Sequence, residues 1–201
     1  MSDCNLEDND DITIDDIINV FNEGMEAYKF SQELFGRIDG KIHNEFVYST
    51  RSLISLIDSK ERGLPYEKYA FNDAFQSARH ILNDSLDLVV SYASNEIHSM
   101  KYISKYSSIK DVYSDYSKVS NILKKFELKI PETRKIRGKK RISDYIEMLK
   151  SDDYKVLCDF CLSVDDIRSD LKKKKREEKA NSYKWFIGIL VVVIIGLLKL
   201  K

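Results

Sequence analysis

The sequence predicts an all-α protein: a bundle of long antiparallel helices with coiled-coil-like seams, closed by one C-terminal transmembrane helix. Three observations predict it. Only two prolines and seven glycines interrupt 201 residues, and charged side chains make up 33% of them, a profile of long solvated helices rather than a many-turned β fold. Apolar residues recur at three- and four-residue steps along most of the chain, with no alternating stretch that reads as a strand. Finally, Trp185 to Leu198 is a run without a charged side chain.

Residues 1–12 are acidic and poor in apolar groups, and are expected to stay disordered because little burial offsets the entropy of ordering them. A first helix is expected to begin after Thr13, a good N-cap followed by Asp15 and Asp16, with Ile14, Ile17, Ile18, Phe21, Met25 and Tyr28 at helical spacing. Gly36 and Gly40 bracket a break. Ile42, Phe46, Leu53, Leu56 and Ile57 then mark a second helix, stopped by ERGLPYE at 61–67. The third and longest runs from near Tyr66 to about Tyr106, through Phe71, Phe75, Ala78, Leu82, Leu86, Val89, Ala93, Ile97 and Met100. In the fourth, Ile109, Val112, Tyr116, Val119, Leu123, Phe126 and Ile130 alternate steps of three and four, the period of a coiled-coil seam, and Pro131 is expected to end it. The basic loop RKIRGKKR (134–141) leads to a fifth helix around Ile142–Leu149. A last helix carries Tyr154, Leu157, Cys161, Val164, Ile167 and Leu171, and no glycine or proline separates it from the C-terminal run.

That run reads as a membrane anchor. It is apolar all round, so it offers no polar stripe to water. Its lining would be Trp185, Phe186, Ile187, Leu190, Val191, Ile194, Ile195 and Leu198, with Tyr183 as an interfacial aromatic and Lys184, Lys199 and Lys201 able to snorkel. Seven basic residues from Lys172 to Lys184 precede it and two follow, which predicts a cytoplasmic N-terminal domain on a single-pass, tail-anchored chain. The expected divisions are 1–12 disordered, 13–180 cytosolic bundle and 183–200 transmembrane. Net charge is zero, but residues 134–201 carry eighteen Lys/Arg against ten Asp/Glu, leaving the first 133 residues at −8. Anionic lipid headgroups would attract such a basic half.

Little chemistry is written into the motifs. There is no phosphate-binding glycine loop, HExxH or GxSxG. Cys158 and Cys161 form a CxxC, but they fall within the apolar periodicity and no histidine is near enough in sequence to complete a zinc set; they read as small buried hydrophobes, and no metal or other cofactor is expected. His80 and His98 are eighteen residues apart on one helix, about 27 Å, too far to share an ion. Arg79, His80, Asp84 and Asp87 form a polar cluster on the third helix, with Asn83 beside them. The segment AFQSARHILNDSLDLVV (74–90) resembles a helical pattern of bacterial HEPN-like proteins, in which an Arg-His pair is followed seven residues later by an acid. The resemblance implies an all-α domain. In catalytic members of that class an Arg-x4–6-His motif late in the bundle cleaves RNA without metal. Arg37 and His43 have that spacing here, but early in the chain and astride Gly40.

The expected function is therefore a membrane-tethered helical module for protein–protein interaction or self-association, not an enzyme. Its partners would be the bilayer and a second copy or another helical protein; the basic runs lack the interleaved aromatics of a nucleic-acid binder. The alternatives are a HEPN-like membrane-tethered ribonuclease or toxin of host defence, with Arg37 and His43 catalytic, and a membrane-perturbing effector.

Overall fold

A computed structural model describes residues 13–36, 40–64, 68–136 and 138–199. The acidic residues 1–12 and Arg37 lie outside them. Among the described residues seven helices run in order: α1 (Ile14–Phe35), α2 (Gly40–Glu61), α3 (Lys68–Ile103), α4 (Tyr106–Val112), α5 (Tyr116–Lys135), α6 (Gly138–Lys150) and α7 (Asp152–Lys199). No strand occurs among the described residues.

Local sequence explains several boundaries. Thr13 and Asp16 close a capping box: the Thr13 hydroxyl accepts from the Asp16 N–H at 3.2 Å, and the Asp16 carboxylate accepts from the Thr13 N–H at 2.8 Å. Gly36 ends α1 in the left-handed conformation, φ 60°, where a Cβ would be strained. The expected fourth helix is instead two, α4 and α5, separated at 113–115, where the Tyr116 N–H bonds the Tyr113 carbonyl in a turn. Pro131 does not end α5, which continues to Lys135. The proline removes one N–H, but the turn beyond it is held by buried Thr133 and by the ion pair of Arg134 with Asp87. Most of the expected basic loop is helical too, divided between the end of α5 and the start of α6.

The chain resolves into two units, Met1–Ser94 with Val119–Leu162, and Asn95–Lys118 with Ser163–Lys201; α3 and α7 each contribute to both. In the first unit, three pairs fix the direction of α2 against α3. Lys41 meets Asp84, Glu45 meets His80, and the Ser49 hydroxyl bonds the Ala74 carbonyl. Rising numbers on α2 meet falling numbers on α3, so the two are antiparallel. Ser94 with Glu127 and Asp87 with Arg134 give the same sense for α3 and α5. Gly24 lets α1 approach α3 closely: a Cβ there would stand 3.1 Å from both the Ile81 side chain and the Leu82 backbone nitrogen. Tyr28, Ile42 and Ile81 pack together beneath Phe21, Met25, Phe46 and Leu88, with Phe21 stacked on Phe46 at 5.6 Å. The seam residues Ile109, Tyr116, Val119, Leu123, Phe126 and Ile130 are buried, as are Tyr154, Leu157, Cys161, Val164, Ile167 and Leu171 of α7.

The expected transmembrane helix is overturned. Within the described residues, no helix is long and apolar enough to cross a membrane. α7 is 48 residues long, but its uncharged run, Trp185 to Leu198, is only fourteen residues. Fourteen residues rise about 21 Å, short of a roughly 30 Å hydrocarbon core, and Lys-rich turns precede them. The single-pass, tail-anchored architecture fails with it, as does the membrane localisation with a cytoplasmic N-terminal domain. Nor is the segment a packed terminal helix: Trp185, Phe186, Ile187, Leu190, Val191, Ile194 and Ile195 are all exposed. Leu198 belongs to α7, but its side chain lies outside those described.

Candidate functional site

Of the polar cluster expected on α3, His80, Asp84 and Asp87 each reach across to another helix. His80 and Asp84 do not pair along α3. His80 Nδ1 lies 3.5 Å from Glu45 Oε1 on α2, and Asp84 Oδ2 lies 2.8 Å from Lys41 Nζ, close but bent away from hydrogen-bond alignment. Asp87 pairs with Arg134 of α5, which lies near Tyr145 of α6. Burial raises the Asp87 carboxyl above the ordinary carboxylate range, and the attraction of Arg134 only partly opposes it. Arg134 is more open; desolvation is the largest single effect and lowers it, but Asp87, Tyr145 and Asp84 together outweigh it and hold the guanidinium more firmly protonated. The two directions agree on a pair whose acidic half is the desolvated one.

Lys41, Ile42, Asp84, Asp87, Leu88 and Ser91 line a shallow recess of about 240 Å³ beside the cluster. Its carboxylates face cations across helix boundaries. That arrangement registers helices; it does not present a free base to a substrate. Lys41, Glu45, Arg134 and Tyr145 were not singled out from sequence. The signal for the first two was their place with Ser49 at four-residue steps, one face of α2. His43 is exposed, tilted against Phe46 with ring centres 6.4 Å apart.

Cys161 is buried and Cys158 half-buried beside Tyr154. Burial pushes the Cys158 thiol up to about 12 and raises the Tyr154 phenol as well. A protonated thiol in such surroundings is neither a good nucleophile nor a ready ligand. No group of three or more His, Cys, Asp or Glu side chains among the described residues is placed to hold a metal ion.

In the second unit Glu96 and Arg168 form a pair that sequence reading missed. Arg168 Nη2 stands 2.6 Å from Glu96 Oε2 and 3.2 Å from the Ser99 hydroxyl, and Glu96 is only 7% exposed. Farther along α7, Lys174 pairs with Asp111 and Glu178 accepts from the Ser108 hydroxyl at 2.9 Å, so α4 covers one side of the helix. Beyond Ser182 the character changes. From Tyr183 to Ile195 every large apolar side chain is exposed, from 42% at Ile189 to 70% at Trp185 and Val192. Monomeric soluble proteins rarely leave so continuous an apolar surface in water. This helix end is the most conspicuous candidate for a functional surface. Comparison of the chain with protein-family models, with curated proteins and with solved structures finds no match.

Proposed function

We propose that the protein is a helical interaction module that self-associates through the apolar end of α7. The observation that carries this reading is the exposure of every large apolar side chain from Trp185 to Ile195, on every side of the helix. Eleven residues make three full turns, so apolar groups point in all directions around the axis. A partner offering one groove would cover only part of that circumference. Equivalent segments from further copies can surround it, and they match it in length and in absence of charge. Antiparallel overlap also separates the lysine-rich stretches (172–184) that a parallel bundle would bring together. Covering about five of these side chains per copy gives roughly 8–15 kcal/mol, comparable to the roughly 4–15 kcal/mol cost of association. Association is therefore expected to be concentration-dependent, not permanent.

Sedimentation velocity of the full chain from 1 to 100 µM tests this (a range of about a hundredfold, enough to displace a micromolar equilibrium). The full chain should shift to higher mass as concentration rises, and a chain stopped after Lys184 should remain monomeric. Val191→Glu should weaken association without changing the helical circular dichroism spectrum. A full chain monomeric throughout would refute the reading. So would one that stays monomeric while binding neutral lipid vesicles, since the helix end would then have another occupant.

A further inference from the structure

Several lysines among the described residues face an acid. Lys41, Lys125, Lys129, Lys150, Lys155 and Lys174 pair with Asp84, Asp153, Glu147, Glu23, Asp152 and Asp111. Four others do not. Lys101, Lys105, Lys175 and Lys179 line one cleft of about 460 Å³ in the second unit, and among the described residues none of the four is in an ion pair. They arrive as two i,i+4 pairs, one at the end of α3 and the turn after it, the other on α7 one turn before the apolar segment. The one acid in the wall, Glu178, accepts from the Ser108 hydroxyl.

Four ammonium groups and one carboxylate leave the wall at +3, concentrated in a recess instead of being spread over a convex face. A concave surface of one sign focuses field and raises the local concentration of counter-ions. Lysine ammoniums are compact point charges with rotatable donors, and suit the tetrahedral, multiply charged phosphate group better than a planar bidentate carboxylate. Tyr102, 87% exposed at the rim, adds a phenol donor and an aromatic face.

From this we infer that the cleft of Lys101, Lys105, Lys175 and Lys179 binds a ligand bearing two or more phosphate groups, free in solution or carried on a lipid headgroup. The site goes beyond self-association and does not depend on it, because its lysines lie outside the apolar run.

Calorimetric titration of the full chain with inorganic tripolyphosphate, at low and at physiological salt, is the direct test. Saturable binding that weakens with salt is expected. Lys101→Ala/Lys105→Ala and Lys175→Ala/Lys179→Ala should each weaken it by at least about tenfold, the loss of two surface cations partly screened by salt. The corresponding double arginine variants should retain it, and Lys124→Ala, an exposed lysine of α5, should match the wild type. A second arm compares sedimentation with phosphatidylcholine vesicles that lack or contain a phosphoinositide. Lysine-dependent binding to phosphoinositide vesicles without tripolyphosphate binding would assign the phosphate to a lipid headgroup; tripolyphosphate binding would assign it to a soluble ligand. If neither probe binds, or if both alanine doubles bind like the wild type, the inference is overturned.

Discussion

Replacing Arg168 with Met should expose how much the second unit owes to its buried ion pair. The guanidinium reaches Glu96 Oε2 at 2.6 Å, whereas the Ser99 hydroxyl is 3.3 Å from that oxygen and lies closer, at 2.9 Å, to the Glu96 carbonyl. Methionine keeps most of the arginine stem but leaves the Glu96 carboxylate buried with one poorly placed donor. Breaking a fully buried pair costs about 3–5 kcal/mol; the Arg168 side chain is one-third exposed, so water can reach the vacated position and about 2–3 kcal/mol is the better expectation. For a chain of this size that is a fall of about 4–12 °C in Tm. Guanidinium unfolding followed by circular dichroism would measure it. The sharper test is Glu96→Leu with Arg168→Met, which removes both charges. Much of the single-variant loss is the penalty of the stranded carboxylate, so the double variant should recover at least about 1.5 kcal/mol relative to the sum of the singles. Strict additivity, or an Arg168→Met variant within about 0.5 kcal/mol of wild type, would show that the pair is solvated and the burial argument wrong.

Three further outcomes follow from the same geometry. Leu123→Ala should cost about 2–5 kcal/mol by emptying part of the seam, while Lys124→Ala, one residue on and exposed, should stay within about 0.5 kcal/mol in the same melts. Asp87 has its carboxyl raised in the folded state, so its contribution is fully present below its unfolded value and is lost as pH rises through the folded one. Wild type should therefore gain stability relative to Asp87→Asn as pH is lowered from 7 towards 4; a difference growing in the opposite direction would mean that attraction to Arg134 outweighs burial. With Cys4 replaced by Ser, Cys158 should react with a thiol reagent at pH 8 far more slowly in the folded chain than in denaturant. A thiol at about 12 instead of 9.0 carries roughly a thousandfold less thiolate at that pH, and equal rates would refute its burial beside Tyr154.

What the sequence by itself determined is what neighbours within four residues decide. Helical periodicity marked the helices because an i, i+3, i+4 stripe is a property of one segment, and the Thr13–Asp16 cap was legible for the same reason. The stripes on α5 and α7 are buried as their spacing indicated, and Cys161 is buried with them. On α1 Ile14, Ile17 and Tyr28 are buried as their spacing indicated, but Val20, Gly24 and Ala27 are buried in place of Ile18, Phe21 and Met25, because the glycine, which carries no hydropathy signal, admits α3 at closest approach. Which acid meets which base was decided only in the tertiary structure. Asp84 could have paired with His80 along its own helix, but the antiparallel register of α2 against α3 brings Lys41 to one and Glu45 to the other. The turn beyond Pro131 survives because Arg134 finds Asp87 forty-seven residues away, a contact invisible to any local rule. The end of α7 shows the same division: its apolar character is plain in the residues, but whether such a run spans, packs or stands exposed depends on what lies around it, and here no other part of the described chain covers it.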